Sequence, residues 1–304
     1  MQQKQLKANR TIILQMFAHV LSDIHLEMDK CDSEILWRYF DNKADYLFLL
    51  GDIGNPYEES YTRFLKYCTS NYQKVFLVAG NHEMYHKTIK ETVIKLRQLC
   101  NDNDKLVFLN DDTYDLPGLE IRIAGTTLWS KVTEEQMSDI RCFISDYRSI
   151  KDWSVEQNNH RHAKSVEWLI TEAEKAKQDG KKLVIMTHHA PLLNSCHPKH
   201  MGSSLSSAFE TDLSQFIISN PHISLWLHGH THHSDKRKVG STTVLSNQYG
   251  YTADKDAKVS FDHNLRIDLE SEADSYEEYL VALLRKTAFT RLLCPEPIKQ
   301  KMVR

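Results

Sequence analysis

Residues 45–52 read Asp45-Tyr46-Leu47-Phe48-Leu49-Leu50-Gly51-Asp52: an unbroken apolar run, then a glycine, then a carboxylate. A run of strand length with no polar alternation is a strand buried on both faces, as in a sheet covered by helices. Two other stretches repeat the design. Lys74-Val75-Phe76-Leu77-Val78-Ala79 leads into Gly80-Asn81-His82-Glu83, and Ile223-Ser224-Leu225-Trp226-Leu227 leads into His228-Gly229-His230-Thr231-His232. A glycine at such a place lets the backbone turn sharply. The side chain after it then projects into the crevice at the carboxyl end of the strand, where α/β sheets place ligands.

Working outward, strand-like and helix-like segments alternate. Phe17 to Leu21 predicts a strand, ending in Ser22-Asp23-Ile24-His25; Leu183 to Met186 predicts another, ending in Thr187-His188-His189. Between the strands, amphipathic helices are expected over 33–42 (capped by Ser33, with Trp37 and Phe40 inward), 58–70, 88–100, 158–178 and 208–219. Shorter strands are expected over 106–109 and 119–124, and hairpin-like pieces over 236–239, 242–246 and 264–269. Residues 127–156 have no clean period and read as an inserted cap, and 190–207 as a loop. The pattern is α/β. It divides as a leader over 1–15, one domain over 16–270, and a C-terminal amphipathic helix and tail over 271–304. The tyrosine–leucine face of 276–293 is a candidate dimer seam.

Composition narrows the function classes. With 304 residues, 41% of them apolar, the chain can bury a large core. The 38 basic and 41 acidic side chains leave a net charge of −3, so no whole-chain field exists to hold a nucleic acid. No apolar stretch approaches bilayer length, which argues against a membrane partner. The six cysteines are scattered without a Cys-x-x-Cys pair, which predicts reduced thiols. With no apolar signal segment after Met1, the expectation is a cytoplasmic protein.

Five buried strands thus end in Asp-x-His, Gly-Asp, Gly-Asn-His-Glu, His-His and Gly-His-x-His. An extended backbone would put Asp23 and His25 on one face, and His230 and His232 likewise. One histidine at a strand end is commonly structural. This many unpaired polar groups in one crevice would destabilise a fold unless something charged satisfied them. Carboxylates, imidazoles and an amide without thiolate suit Mn, Fe or Zn, and there are more donors than one ion needs.

The ordered set Asp23-x-His25, Gly51-Asp52, Gly80-Asn81-His82-Glu83, His188 and Gly229-His230-Thr231-His232, spread over residues 16–246, resembles the calcineurin-like metallophosphoesterase superfamily. The resemblance implies a four-layer αββα sandwich with two mixed β-sheets. It also implies two divalent metal ions (Mn, Fe or Zn), the first held by Asp23, His25, Asp52 and His232. The second would be held by Asp52, Asn81, His188 and His230, with Asp52 bridging. The reaction it implies is hydrolysis of a small phosphomonoester or phosphodiester by a hydroxide shared between the metals. Asp52 and His82 would be catalytic, His82 serving the leaving oxygen, with Asn81 also meeting substrate. Arg148, beside Asp146 and Tyr147 and near Trp129, is a candidate phosphate contact from the cap. The sequence departs from the Ser/Thr protein phosphatase branch, which carries a carboxylate where Asn55 stands and an arginine where Ala79 stands. That departure weakens the case for a phosphoprotein substrate and leaves His82 without its orienting carboxylate. Rival readings are a phosphoprotein phosphatase and a metal-binding scaffold on the same fold without turnover.

Overall fold

The computed structural model describes residues 16–28 and 44–269. Its first part contains β1 (Phe17–Leu21), β2 (Tyr46–Leu50), α1 (Glu59–Asn71), β3 (Lys74–Val78), α2 (Ile89–Asn101), β4 (Leu106–Phe108), β5 (Asp112–Asp115) and β6 (Ile121–Thr126). Two short helices follow, α3 (Met137–Phe143) and α4 (Asp146–Ser149), then α5 (Val155–Gln178), β7 (Lys182–Thr187), α6 (Ser214–Ser219) and β8 (Ile223–His228). The rest is β9 (Lys236–Val239), β10 (Thr242–Ser246), α7 (Lys255–Ser260) and β11 (Arg266–Asp268).

These strands form two mixed sheets. One has the order β11-β1-β2-β3-β4, the other β5-β6-β7-β8-β10-β9. The central strands run parallel, and each antiparallel pair involves an edge strand: β11 on β1, β5 on β6, β9 on β10. Strand alternation builds the layers. Tyr46, Phe48 and Leu50 face the other sheet and pack with Ile123, Val184, Met186 and Leu227. Leu47 and Leu49, pointing the other way, pack with Tyr61, Phe64 and Leu65 of α1 and Leu96 of α2. On the far side, Ile185 and Trp226 meet Leu169 and Ala173 of α5. The result is helix, sheet, sheet, helix, which is why the strands carry no polar alternation.

The helix starts follow from capping. Thr88 and Glu91 form a reciprocal capping box at α2, and Ser154 caps α5, which therefore begins three residues before the expected Asn158. Three expectations need correction. Helix 208–219 begins only at Ser214, because Ala208 belongs to a separate 3-10 turn. The 264–269 piece is no hairpin arm; it pairs antiparallel with β1. The 127–156 segment is not irregular throughout: it carries α3 and α4 and buries Val132 and Ile140 in a small core with Ala208. The expected helices over 33–42 and 276–293, with their dimer seam, and the 1–15 leader lie outside the described residues. Cys68, Cys100, Cys142 and Cys196 are free thiols. No helix among the described residues is long and apolar enough to cross a membrane.

Candidate metal centre

The carboxyl ends of β1, β2, β3, β7 and β8 converge, but not by the route the sequence suggests. Asp23 and His25 are not an extended pair: β1 stops at Leu21, and both residues have left-handed backbone, φ 56° and 54°. Asp52 (52°), His230 (73°) and His232 (49°) share that conformation. For residues with a Cβ it costs on the order of 1 kcal/mol each, and such strain gathers where function over-determines the backbone. Cross-strand hydrogen bonds hold it. The Asp23 amide donates to the Gly51 carbonyl (3.1 Å), the His25 amide to that of Asp52 (3.0 Å), and the His230 amide to both Asp23 carboxylate oxygens (3.1 Å each).

Gly80 serves by lacking a side chain rather than by turning. A Cβ there would lie 2.6 Å from the Asp52 amide nitrogen and closer still to its carboxylate. Gly80→Ala is therefore expected to push the two strand ends apart, costing about 1–3 kcal/mol, with a drop of several degrees in Tm and reduced metal content. Thermal melts and elemental analysis check both.

The side chains then meet in three overlapping groups: Asp23, His25 and His232; His25, Asp52 and His82; and Asp52, His188 and His230. In each, one donor atom per residue lies within 4.8 Å of the others. Asp52 sits between the outer two. Its Oδ1 is 3.4 Å from His188 Nε2, and its Oδ2 is 3.9 Å from His25 Nε2. The tautomers point to cations. His188 Nδ1 donates to the Leu50 carbonyl (2.8 Å), which turns the Nε2 lone pair toward Asp52 Oδ1 and Asn81 Oδ1 (3.0 Å). His25 Nδ1 lies 3.2 Å from Glu27 Oε1, so its Nε2 lone pair faces His232 Nε2 at 3.0 Å, itself 3.5 Å from Asp23 Oδ1. Acceptor facing acceptor in a buried cleft requires positive charge between them. The donor set fits divalent ions of the Mn, Fe or Zn type, for it is made of carboxylate, imidazole and amide oxygen.

Without a cation, protons supply that charge. Burial would raise the Asp52 pKa, but the facing His188, His82 and His25 rings hold the carboxyl well below its usual range. Burial likewise opposes the His188 charge, yet Asp52 lifts that imidazole to about 9. His230, desolvated and beside His189 and His188, is pushed well below its ordinary value and stands neutral, ready to ligate.

His82 has a carboxylate after all. Glu27 Oε1 lies 2.9 Å from His82 Nδ1, so the role that Asn55 cannot fill is taken from the loop after β1. Desolvation opposes protonation of His82, but the Asp52 charge and the Glu27 hydrogen bond lift it to about 9. Tyr251 Oη lies 3.2 Å from Nε2, and the Tyr85 ring stacks on the imidazole at 4.3 Å. Glu83, never assigned a role by sequence, accepts from the backbone amides of Asp52 (2.9 Å), Ile53 (2.8 Å) and Gly80 (2.7 Å) and so ties two strand ends together.

The 127–156 segment does deliver a group to the site, though not the expected one. Asp146 is buried and accepts from Asn81 Nδ2 (2.8 Å) and Tyr85 Oη (2.8 Å), which fixes the Asn81 carbonyl oxygen toward His188. Arg148 is exposed, donates to the Cys142 carbonyl, and does not line the cavity above the cluster. Trp129 is buried behind His189 against Trp153 and does not line that cavity. His189 packs on His230, ring centroids 4.0 Å apart, and His228 is buried with Nε2 3.7 Å from Asp235 Oδ1. His197 and His200, from the 190–207 loop, line the cavity, whose volume is about 560 Å³.

A family model described as calcineurin-like phosphoesterase matches residues 18–234, well over half of the chain. An uncharacterized protein of Acanthamoeba polyphaga mimivirus is 31% identical over 262 residues, spanning 77% of this chain and 91% of its own. Among solved structures, the phosphopantetheinyl hydrolase of Mycobacterium tuberculosis superposes with a TM-score of 0.60 at 14% identity. That match covers 80% of this chain and 94% of the hydrolase, a likeness of fold.

Proposed function

This chain belongs to the calcineurin-like phosphoesterase family, whose members are metal-dependent phosphoester hydrolases, and from that premise we propose a dinuclear site that hydrolyses a small phosphomonoester or phosphodiester. Asp23, His25, Asp52 and His232 would hold one ion, and Asp52, Asn81, His188 and His230 the other. The observation that carries this reading is Asp52, buried, with one oxygen turned to each donor group. When bound, two divalent cations supply a water that ionises near neutral pH and neutralise the phosphoryl oxygens.

This chain's own residues do the rest. His25 and His188 present their Nε2 lone pairs because Glu27 and the Leu50 carbonyl hold the opposite nitrogens. Asp146 and Tyr85 fix the Asn81 amide. His82, whose Nε2 is 4.0 Å from Asp52 Oδ2 and opens on the cavity, holds a proton for the departing oxygen. The 127–156 segment serves as a cap that completes the site through Asp146. Ala79, in place of an arginine clamp, supports a small substrate over a phosphoprotein.

The test is elemental analysis joined to an aryl phosphate assay. Purified full-length protein is expected to hold about two divalent ions per chain. Release of p-nitrophenol should fall about a hundredfold or more on chelation and return with Mn²⁺. Metal-replete protein that cleaves neither mono- nor diesters would overturn the proposal.

A further inference from the structure

The cavity above the cluster is unusual in how little positive charge it holds away from the donor groups. Its described lining contains no arginine and one lysine, Lys199, whose ammonium is already paired with Asp256. Apart from the His82 imidazolium and the imidazoles of His197, His200 and the donor groups, the remaining ionisable groups in the wall beyond Asp52 are acidic: Asp146 and Glu210, both buried, and Asp254, whose carboxylate is 3.6 Å from His232 Nδ1. A second phosphate or a carboxylate on the substrate, held away from His82, would find no arginine and no unpaired lysine there and would meet carboxylates instead, at a cost that desolvation enlarges.

The opposite wall carries an apolar strip that begins at the site, interleaved with Asn194, His197, Ser203 and Ser206. Phe209 stacks on His230, ring centroids 4.9 Å apart and planes 25° from parallel. From it the 192–210 stretch carries the surface outward through Ala208 and Leu205 to Met201 and Leu193, with Ile144 of the cap segment also in the lining. Met201 is 60% exposed and Leu193 50% exposed, so the outer end of this wall is wetted until something covers it. Apolar area of this kind gains by covering, and a ligand anchored by one phosphate at the buried end would cover it.

Resting on the phosphoesterase reading above, we propose that the substrate carries a single phosphate ester on an uncharged, largely apolar body, which lies along Phe209, Leu205 and Met201. The phosphate supplies all of the charge recognition, and the length of the apolar body sets the selectivity. Polyphosphorylated nucleotides and sugar bisphosphates are excluded by the same wall.

The experiment uses metal-replete, full-length protein with butyl, hexyl and octyl phosphate, 8-carboxyoctyl phosphate, and p-nitrophenyl phosphate as the generic control, following released phosphate. Each added methylene is expected to raise kcat/KM about threefold while the wall lasts, so octyl, with four more, should exceed butyl by about eightyfold if the wall spans the whole chain, and the carboxylated chain should fall back by about as much. In Met201→Glu and, separately, Leu193→Glu, both at exposed positions that the fold tolerates, the octyl-to-butyl ratio should collapse toward one. A flat series, a preference for the carboxylated chain, or an unchanged ratio in both variants would overturn the inference while leaving the hydrolase standing. Failure to cleave either p-nitrophenyl phosphate or bis(p-nitrophenyl) phosphate would instead remove the phosphoesterase reading and this inference with it.

Discussion

Asp52→Ala is expected to lose both metals and to lose turnover by about a thousandfold or more, because this one carboxylate belongs to two of the three donor groups. Nothing nearby can replace it. Its Oδ1 also accepts from the His82 amide at 2.9 Å, so the substitution would free the turn that presents His82 as well as removing the charge between the two donor sets. Asp52→Asn is the sharper version: it keeps the volume, and its loss must come from charge and proton geometry. The backbone of residue 52 remains left-handed in both, which favours Asn slightly and keeps the fold. Metal content by elemental analysis and kcat/KM on an aryl phosphate are the paired readouts. Wild-type metal content in Asp52→Ala would end the dinuclear assignment.

A pH dependence accompanies it. In the metal-free protein His188 is lifted to about 9 by Asp52, so it carries a proton at neutral pH that a cation must displace. Apparent Mn²⁺ affinity should therefore weaken as pH falls from 8 to 6, about tenfold per unit for one displaced proton. The same dependence should shrink in Asp52→Asn, where His188 loses the partner that raises it.

Much of this was legible in the residues, and what was not has a physical reason. The layered fold could be read from strands such as Tyr46–Leu50, because burial on both faces removes polar alternation, a property of the local sequence. The donors could be read because each stands within five residues of the end of an apolar run. The local geometry was misread: the i, i+2 argument for Asp23 and His25 presumed extended backbone, whereas five donors in left-handed conformation reflect contacts between strands that no single segment encodes. Glu27 is hidden in the sequence for the same reason. It sits near His25 in sequence, but its contact with His82 spans 55 residues, and only the meeting of the segments after β1 and β3 across the end of β2 brings the two together. In the sequence Asp146 stands beside Arg148, and of the two only the arginine has a charge that suits phosphate. Burial reverses the preference, for the carboxylate is inside, bonded to Asn81, and the guanidinium is outside.

His82→Ala should retain both metals and yet lose turnover in proportion to how much the leaving oxygen needs a proton. An alkoxide is a poor leaving group unless protonated as the bond breaks, whereas p-nitrophenolate departs almost unaided. General acid catalysis is worth about a hundredfold to ten-thousandfold where it is needed. His82→Ala is thus expected to cut alkyl phosphate hydrolysis by about a thousandfold and p-nitrophenyl phosphate hydrolysis by tenfold or less. Glu27→Gln should follow the same pattern at smaller amplitude, about 10- to 100-fold on alkyl phosphates, the usual cost of losing the group that orients a working histidine. The reason lies in one oxygen. Glu27 Oε1 reaches both His82 Nδ1 (2.9 Å) and His25 Nδ1 (3.2 Å), and although burial opposes its charge, those two imidazoles draw its pKa down to about 2. It is therefore an anion throughout the working range and favours the His82 imidazolium. The rate on alkyl phosphates should fall at high pH as His82 loses its proton, and in Glu27→Gln that fall should move to lower pH, since a neutral amide no longer favours the imidazolium. Equal losses on both leaving groups, or a high-pH limb that stays put in Glu27→Gln, would mean that His82 serves substrate placement and that Glu27 does no more than hold the loop.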